Sequence, residues 1–106
     1  MDKEIYSIIS EYKKRLELSG VKINKIMLYG SYASGRANEE SDLDLVIVSD
    51  SFKDMDLWER LSFLGRIRAG IRKPMEILGL TKEEFESEYG DMFMEGEVKS
   101  KGIEIK

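Results

Sequence analysis

The sequence predicts an α/β fold, a small mixed β-sheet with helices packed chiefly on one face, and three observations predict it. Ile5, Ile8, Ile9, Tyr12 and Leu16 recur at three- and four-residue steps, the spacing of one apolar helix face. Short apolar runs around Ile26 to Leu28, Leu43 to Val48 and Met75 to Leu80 are bounded by turn residues and read as strands. A second helical stripe, Leu57, Leu61, Leu64, Ile67 and Ile71, lies between the last two of them. Alternation of helices and strands over 106 residues predicts one domain, 1–106, with a modest core.

The first helix is expected from about Asp2 to Ser19, with Gly20 placed to end it. Val21 to Tyr29 follows as the first strand, and Leu43 to Val48 as the second, apolar enough for burial on both faces. Ser49 to Asp54 is turn material. The helix from Met55 to about Gly70 should cover the sheet, with Arg60 and Arg68 either snorkelling from its edges, the favoured reading, or reaching toward a phosphate or an acid. Arg66, Arg68, Arg72 and Lys73 form the densest basic group, suited either to a helix C-terminus or to an acidic partner. Pro74 stops the helix and Met75 to Leu80 is the third strand. Thr81 with Glu84 makes a capping box for a helix running to about Tyr89. A last helix is expected over Met92 to Lys101, carrying the adjacent apolar Met92, Phe93 and Met94, and Ile103 to Ile105 adds a short edge strand.

Composition narrows the chemistry. No apolar run is long enough to cross a membrane and no basic-then-apolar leader is visible, which predicts a cytoplasmic protein. The absence of cysteine excludes disulfides and thiolate metal sites, and the absence of histidine removes the commonest neutral-pH base and zinc ligand. Proton transfer must therefore fall to carboxylates, lysine or tyrosine. The formal net charge of -4 offers nucleic acid no bulk attraction, so such a partner is not favoured.

The stretch from Tyr29 to Val48, YGSYASGRANEESDLDLVIV, carries the chemistry. Side chains alternate along a strand, so Asp42 and Asp44 point the same way while Leu43 and Leu45 point to the other face. Paired carboxylates cannot both stay ionised cheaply without a cation or proton between them. Magnesium fits, because it prefers oxygen ligands and binds through one or two carboxylates plus substrate phosphates. Gly30 allows a sharp backbone turn, and Ser31 then stands where a helix begins, with free amides that attract anions. Glu76 is a single acid inside the apolar third strand, and burying an unpaired carboxylate is costly. Either it faces water or pairs with Arg72 or Lys73, or it belongs to a site.

Gly30-Ser31 followed by Ser41-Asp42-Leu43-Asp44-Leu45 resembles the signature of the nucleotidyltransferase superfamily that includes DNA polymerase beta and kanamycin nucleotidyltransferase. A chain this short is most similar to the minimal nucleotidyltransferases of prokaryotes, often encoded beside a HEPN-domain partner. The resemblance implies that Gly30, Ser31 and Ser41 bind nucleotide and that Asp42 and Asp44 bind two Mg2+ ions. It also makes Glu76 the third, catalytic acid, where many members have aspartate and kanamycin-type enzymes have glutamate. A basic residue that members often carry stands where this chain has Ser34, with Arg36 the nearest substitute.

The activity so implied is transfer of AMP from ATP to an acceptor hydroxyl, a tyrosine of a HEPN toxin, with this chain as the antitoxin. The alternatives are a noncatalytic nucleotide-binding antitoxin that acts by contact alone, and a transferase acting on RNA or a small molecule. The last is disfavoured because the chain has no second domain to build a substrate pocket.

Overall fold

The computed structural model describes residues 3–87 and 102–105. Its elements run α1 (Lys3–Leu18), β1 (Lys25–Tyr29), α2 (Ser31–Ser34), β2 (Leu43–Val48), a 3-10 turn (Asp50–Phe52), α3 (Leu57–Arg68), β3 (Met75–Leu80), α4 (Lys82–Glu86) and β4 (Ile103–Ile105). The expected helix over Met92 to Lys101, with Met92, Phe93 and Met94, lies outside the described residues, as does any continuation of α4 to Tyr89.

Among the described residues the sheet has four strands in the order β3-β2-β1-β4 and is mixed. β1 is antiparallel to both β2 and β4, whereas β2 and β3 are parallel. A parallel pair needs a crossover, and α3 supplies it. β1 is shorter than the sequence suggests because only Lys25 onward joins the ladder; Val21 is buried instead and Asn24 donates to the Val48 carbonyl at 2.8 Å.

Alternation divides the side chains between two faces. On one face Ile26, Leu28, Leu43, Leu45 and Ile47 meet α1, through Ile5, Ile9, Tyr12 and Leu16, and α3, through Leu64. This is the main core. The other face holds a smaller cluster of Met27, Val46 and Val48 under Phe85 of α4, with Tyr29, Leu78 and Leu80 at its margin. Helices α1 and α3 thus cover one face, and the second face is left for polar groups at one end of β2 and β3.

Polar ties fix the helices. The Tyr12 hydroxyl donates to the Leu64 carbonyl at 2.9 Å, and Arg15 donates to the Ile67 and Ala69 carbonyls at 3.1 and 2.7 Å, closing the end of α3. Asp56 and Glu59 form a reciprocal capping box that starts α3 at Leu57, two residues later than the apolar pattern suggests. The same box, Thr81 with Glu84, opens α4 as the sequence predicts.

Two expectations for α3 are corrected. Leu57 and Leu61 are 54% and 42% exposed, and the inward positions are Arg60, Phe63, Leu64 and Ile67. Arg60 does not snorkel. It is 8% exposed and donates to the Met55 and Gly79 carbonyls at 3.0 and 3.1 Å and to the Glu84 carboxylate at 2.6 Å, while its guanidinium lies over the Phe52 ring. An arginine is tolerated there because its Nε and Nη1 find three acceptors and no buried side-chain nitrogen or oxygen among the described residues is left without a partner. Arg68 likewise turns back onto the Ile71 and Lys73 carbonyls, binding the α3–β3 connection.

Burial raises the Glu84 pKa, but hydrogen bonds from Arg60 and Thr81 outweigh it and leave the carboxyl below its ordinary value. A depressed acid contributes stability above its unfolded pKa that is lost as pH falls through the folded one. Glu84→Ala is expected to cost about 1–2 kcal/mol at pH 7, the range for a charged hydrogen bond reduced for a half-exposed partner. Urea unfolding should show the deficit at neutral pH and its disappearance in acid; equal midpoints at pH 7 would contradict the role given to this pair.

Candidate active site

The site begins with Gly30, which leaves β1 at φ 72° and ψ -151°, a region open to glycine and strained for any other residue. Its second constraint is contact. A Cβ at Gly30 would collide with the Asp44 carboxylate, so the missing side chain is what lets that carboxylate lie against the turn. The turn then starts α2. Ala33 and Ser34 both donate to the Gly30 carbonyl at 3.1 Å, so the preceding amides of Ser31 and Tyr32 come before the first helical bonds. The Ser31 hydroxyl makes no hydrogen bond among the described residues.

Asp44 is the second residue of β2. Tyr29 of antiparallel β1 stands opposite it on one side and Glu76 of parallel β3 on the other. Glu76 therefore lies beside Asp44, and the two carboxyls are close enough to share a hydrogen bond. Asp42, exposed just before β2, adds its charge to the effect on Asp44. Asp44 and Glu76 are thus brought side by side at one end of the second face, and Asp42 is near enough for its charge to act on Asp44. Glu76 is exposed, so it faces water as one of the two sequence readings expected, but it does not pair with Arg72 or Lys73 among the described residues. Lys73 instead donates to the Glu39 carbonyl at 3.3 Å and sits 4.8 Å from the Tyr32 ring centre.

Ser41 is placed differently from Ser31. Its hydroxyl accepts from the Asn38 amide at 2.9 Å and its own amide donates to the Asn38 carbonyl at 3.1 Å. In this arrangement it braces the loop that delivers Asp42. Ser34 and Arg36 are exposed, so neither is drawn into the acid cluster.

Tyr29 is a participant that sequence reasoning treated only as a strand end. Burial first, then the Asp44 and Glu76 charges, push its phenol up to about 12, which keeps it a neutral hydrogen-bond donor beside the acids. Only the register of β1 against β2 could have pointed to it, and local sequence does not fix register.

Electrostatics show how crowded the acids are. Asp44 is raised from 3.8 to about 6 by burial, by the hydrogen bond and charge of Glu76, and by the charge of Asp42. Among the described residues no three His, Cys, Asp or Glu side chains are already gathered as a metal-holding group. The donor chemistry nevertheless fits a hard divalent cation: the candidate donors are all carboxylate oxygens, and the neighbouring Glu76 and Asp42 charges add to the burial that raises Asp44. Asp42, Asp44 and Glu76 are the residues that would hold it.

A raised carboxyl binds more protons folded than unfolded, so its contribution falls as pH rises through the interval from 3.8 to about 6. Without metal, Asp44→Asn should therefore melt above the wild type at pH 7, and the gap should close towards pH 4. Thermal melts of the two proteins in chelator across this range check it; a variant less stable than wild type at pH 7 would contradict the crowding.

Comparisons with known proteins agree with this geometry. The model of the nucleotidyltransferase domain family matches residues 7–105. Two candidate protein adenylyltransferases of Methanocaldococcus jannaschii, MJ0141 and MJ1379, are 44% identical over 46 residues and 43% identical over 47. These matches take in 42% and 44% of this chain and 46% of each relative, so the chain spans a little under half the length of the curated relatives it matches. Among solved structures, a candidate nucleotidyltransferase from Sulfolobus solfataricus superposes with a TM-score of 0.70 at 21% identity, over 95% of this chain and 78% of that one. A toxin-antitoxin structure with AMP-PNP reaches 0.61 at 18% identity, over 90% and 69%. Another candidate nucleotidyltransferase reaches 0.58 at 28% identity, over 99% and 100%. By the extent of the family match and the arrangement it accompanies, this chain belongs to the nucleotidyltransferase domain family.

Proposed function

We propose that the chain transfers AMP from ATP to a hydroxyl of another protein, a tyrosine on a HEPN-type toxin for which it is the antitoxin. The observation that carries this reading is the packing of Asp44 between the Gly30 turn and Glu76, with the charge of Asp42 acting on it. That arrangement sets an anion-binding turn against a cluster of oxygen ligands, which is what a metal-bound triphosphate requires. The naming of the two Methanocaldococcus relatives as protein adenylyltransferases supports the donor and acceptor class, and the toxin-antitoxin fold neighbour supports the biological setting.

In this mechanism Gly30 and Ser31 hold the β and γ phosphates through the turn amides and the Ser31 hydroxyl. Ser41 braces the loop that precedes Asp42 through Asn38. Asp42 and Asp44 would hold two magnesium ions, with Glu76 completing the set on the acceptor side. Bound there, magnesium supplies positive charge against the triphosphate and makes a nearby hydroxyl easier to deprotonate. Glu76 takes the acceptor proton. The acceptor oxygen forms its bond to the α phosphorus, the bond from that phosphorus to the α–β bridging oxygen breaks, and pyrophosphate leaves. Positioning and charge neutralisation supply most of the rate.

The test incubates the protein with labelled ATP, magnesium and the product of the neighbouring gene, and weighs that product by mass spectrometry. An added AMP is expected. A complex without a mass change would instead leave a contact-only antitoxin, and label on RNA would move the acceptor. Asp44→Asn should reduce transfer about a thousandfold or more, the several kcal/mol that a metal ligand commonly supplies. Gly30→Ala should do nearly the same while costing about 1–3 kcal/mol of stability through strain at positive φ. Transfer at wild-type rate by either variant would refute the assignment.

A further inference from the structure

We propose that the outer edge of β3 is where the acceptor docks, as an extended polypeptide segment that adds a strand to the sheet. The inference rests on the transferase reading above and names how its protein substrate is held. Among the described residues β3 ends the sheet, with β2 on its inner side. The Leu43 amide donates to the Pro74 carbonyl and the Ser49 amide to the Leu80 carbonyl, so the even-numbered residues of β3 turn their backbone groups inward. In a parallel pair the odd-numbered ones then face outward. Gly79 confirms the parity, since its carbonyl is met from outside by Arg60 at 3.1 Å.

Arg60 thereby closes the Gly79 end of the edge, a common way to blunt an exposed strand. Met75 and Ile77 stay open, and their outward amides and carbonyls meet no partner among the described residues. Alternating donors and acceptors at strand spacing are matched by another main chain in extended form.

The surroundings suit such a segment. A groove of about 580 Å3 runs along this edge, lined on the helix side by Leu61, Gly65 and Arg68 and on the strand side by Glu76 and Ile77, and it reaches Tyr29. Gly65 sits inside α3 although glycine is the poorest helix former after proline, and a Cβ there would meet nothing within 4 Å. Its missing side chain widens the groove. Leu57 and Trp58, 54% and 76% exposed, extend the apolar margin along the same helix.

The groove also leads to the chemistry. Glu76 lies between the two open residues and directs its carboxyl to the acid face. In an added strand the residue opposite it places its Cβ about 5 Å from that of Glu76, and a diagonal neighbour lies within reach of an aromatic side chain. A serine or threonine opposite, or a tyrosine on the diagonal, brings its hydroxyl to the acid that takes its proton. The open edge is too short for the standard interface of about 1,600 Å2 that stable pairs bury, so it favours a passing substrate over a second copy of this chain.

Two substitutions test the edge. Ile77→Pro removes an outward amide and leaves the inward ladder, and Gly65→Leu fills the groove while favouring the helix. The probe is a seven-residue peptide alternating valine and threonine about a central tyrosine, supplied with magnesium and ATP. Hydrogen exchange followed by NMR should show the Ile77 amide protected on adding peptide, with Glu76 and Leu78 already protected without it. Both variants should raise the KM for AMP transfer to the peptide tenfold or more and leave the KM for ATP as it was. An Ile77 amide indifferent to peptide, or transfer untouched in both variants, would overturn the proposal. So would protection that grows with protein concentration alone, since it would mark self-association. Protection without any AMP transfer would uphold the docking edge and defeat the transferase reading.

Discussion

The close approach of the Asp44 carboxylate to the backbone at Gly30 constrains everything around it. No side chain fits between them, and the backbone at Gly30 adopts a conformation that only glycine takes easily. Holding a carboxylate there requires β1 and β2 to be antiparallel in one register, and it requires β3 to lie parallel on the far side so that Glu76 arrives as the neighbour. The fold therefore concentrates negative charge where it is least comfortable. Asp44 records the cost in its raised affinity for a proton.

That tension is offset by the main core. α1 and α3 cover the opposite face of the sheet, tied together by Tyr12 and Arg15, and their packing asks nothing of the acid face. The smaller cluster beneath Phe85 fills the rest of the second face. Separating a well-packed face from a charged one lets the site carry unfavourable electrostatics without loosening the sheet beneath it. Sites that bind cations and phosphates commonly hold such strain in the unliganded state.

Much of this was legible in the sequence, for reasons that can be named. The bounds of β2 and β3 could be read because apolar runs flanked by turn residues leave few alternatives. α3 was harder. Leu57 and Leu61 satisfy a helical stripe as well as Arg60 and Leu64 do, and the stripe that faces inward was decided by acceptors distant in sequence, Gly79 and Glu84. Local hydrophobicity carries no information about those partners. Tyr29 was missed for a related reason, since its place beside Asp44 depends on strand register. The engagement of Ser41 with Asn38 was hidden because loop hydrogen bonds follow from backbone path.

The most direct measurement is the pH titration of the Asp44 carboxyl, followed by carbon-13 NMR with and without saturating magnesium and a nonhydrolysable ATP analogue. Free protein should titrate near pH 6, and the complex should show Asp44 ionised throughout. An Asp44 carboxyl that still takes its proton near pH 6 in the saturated complex would mean that no cation lies against it, and the three-acid centre would have to be abandoned.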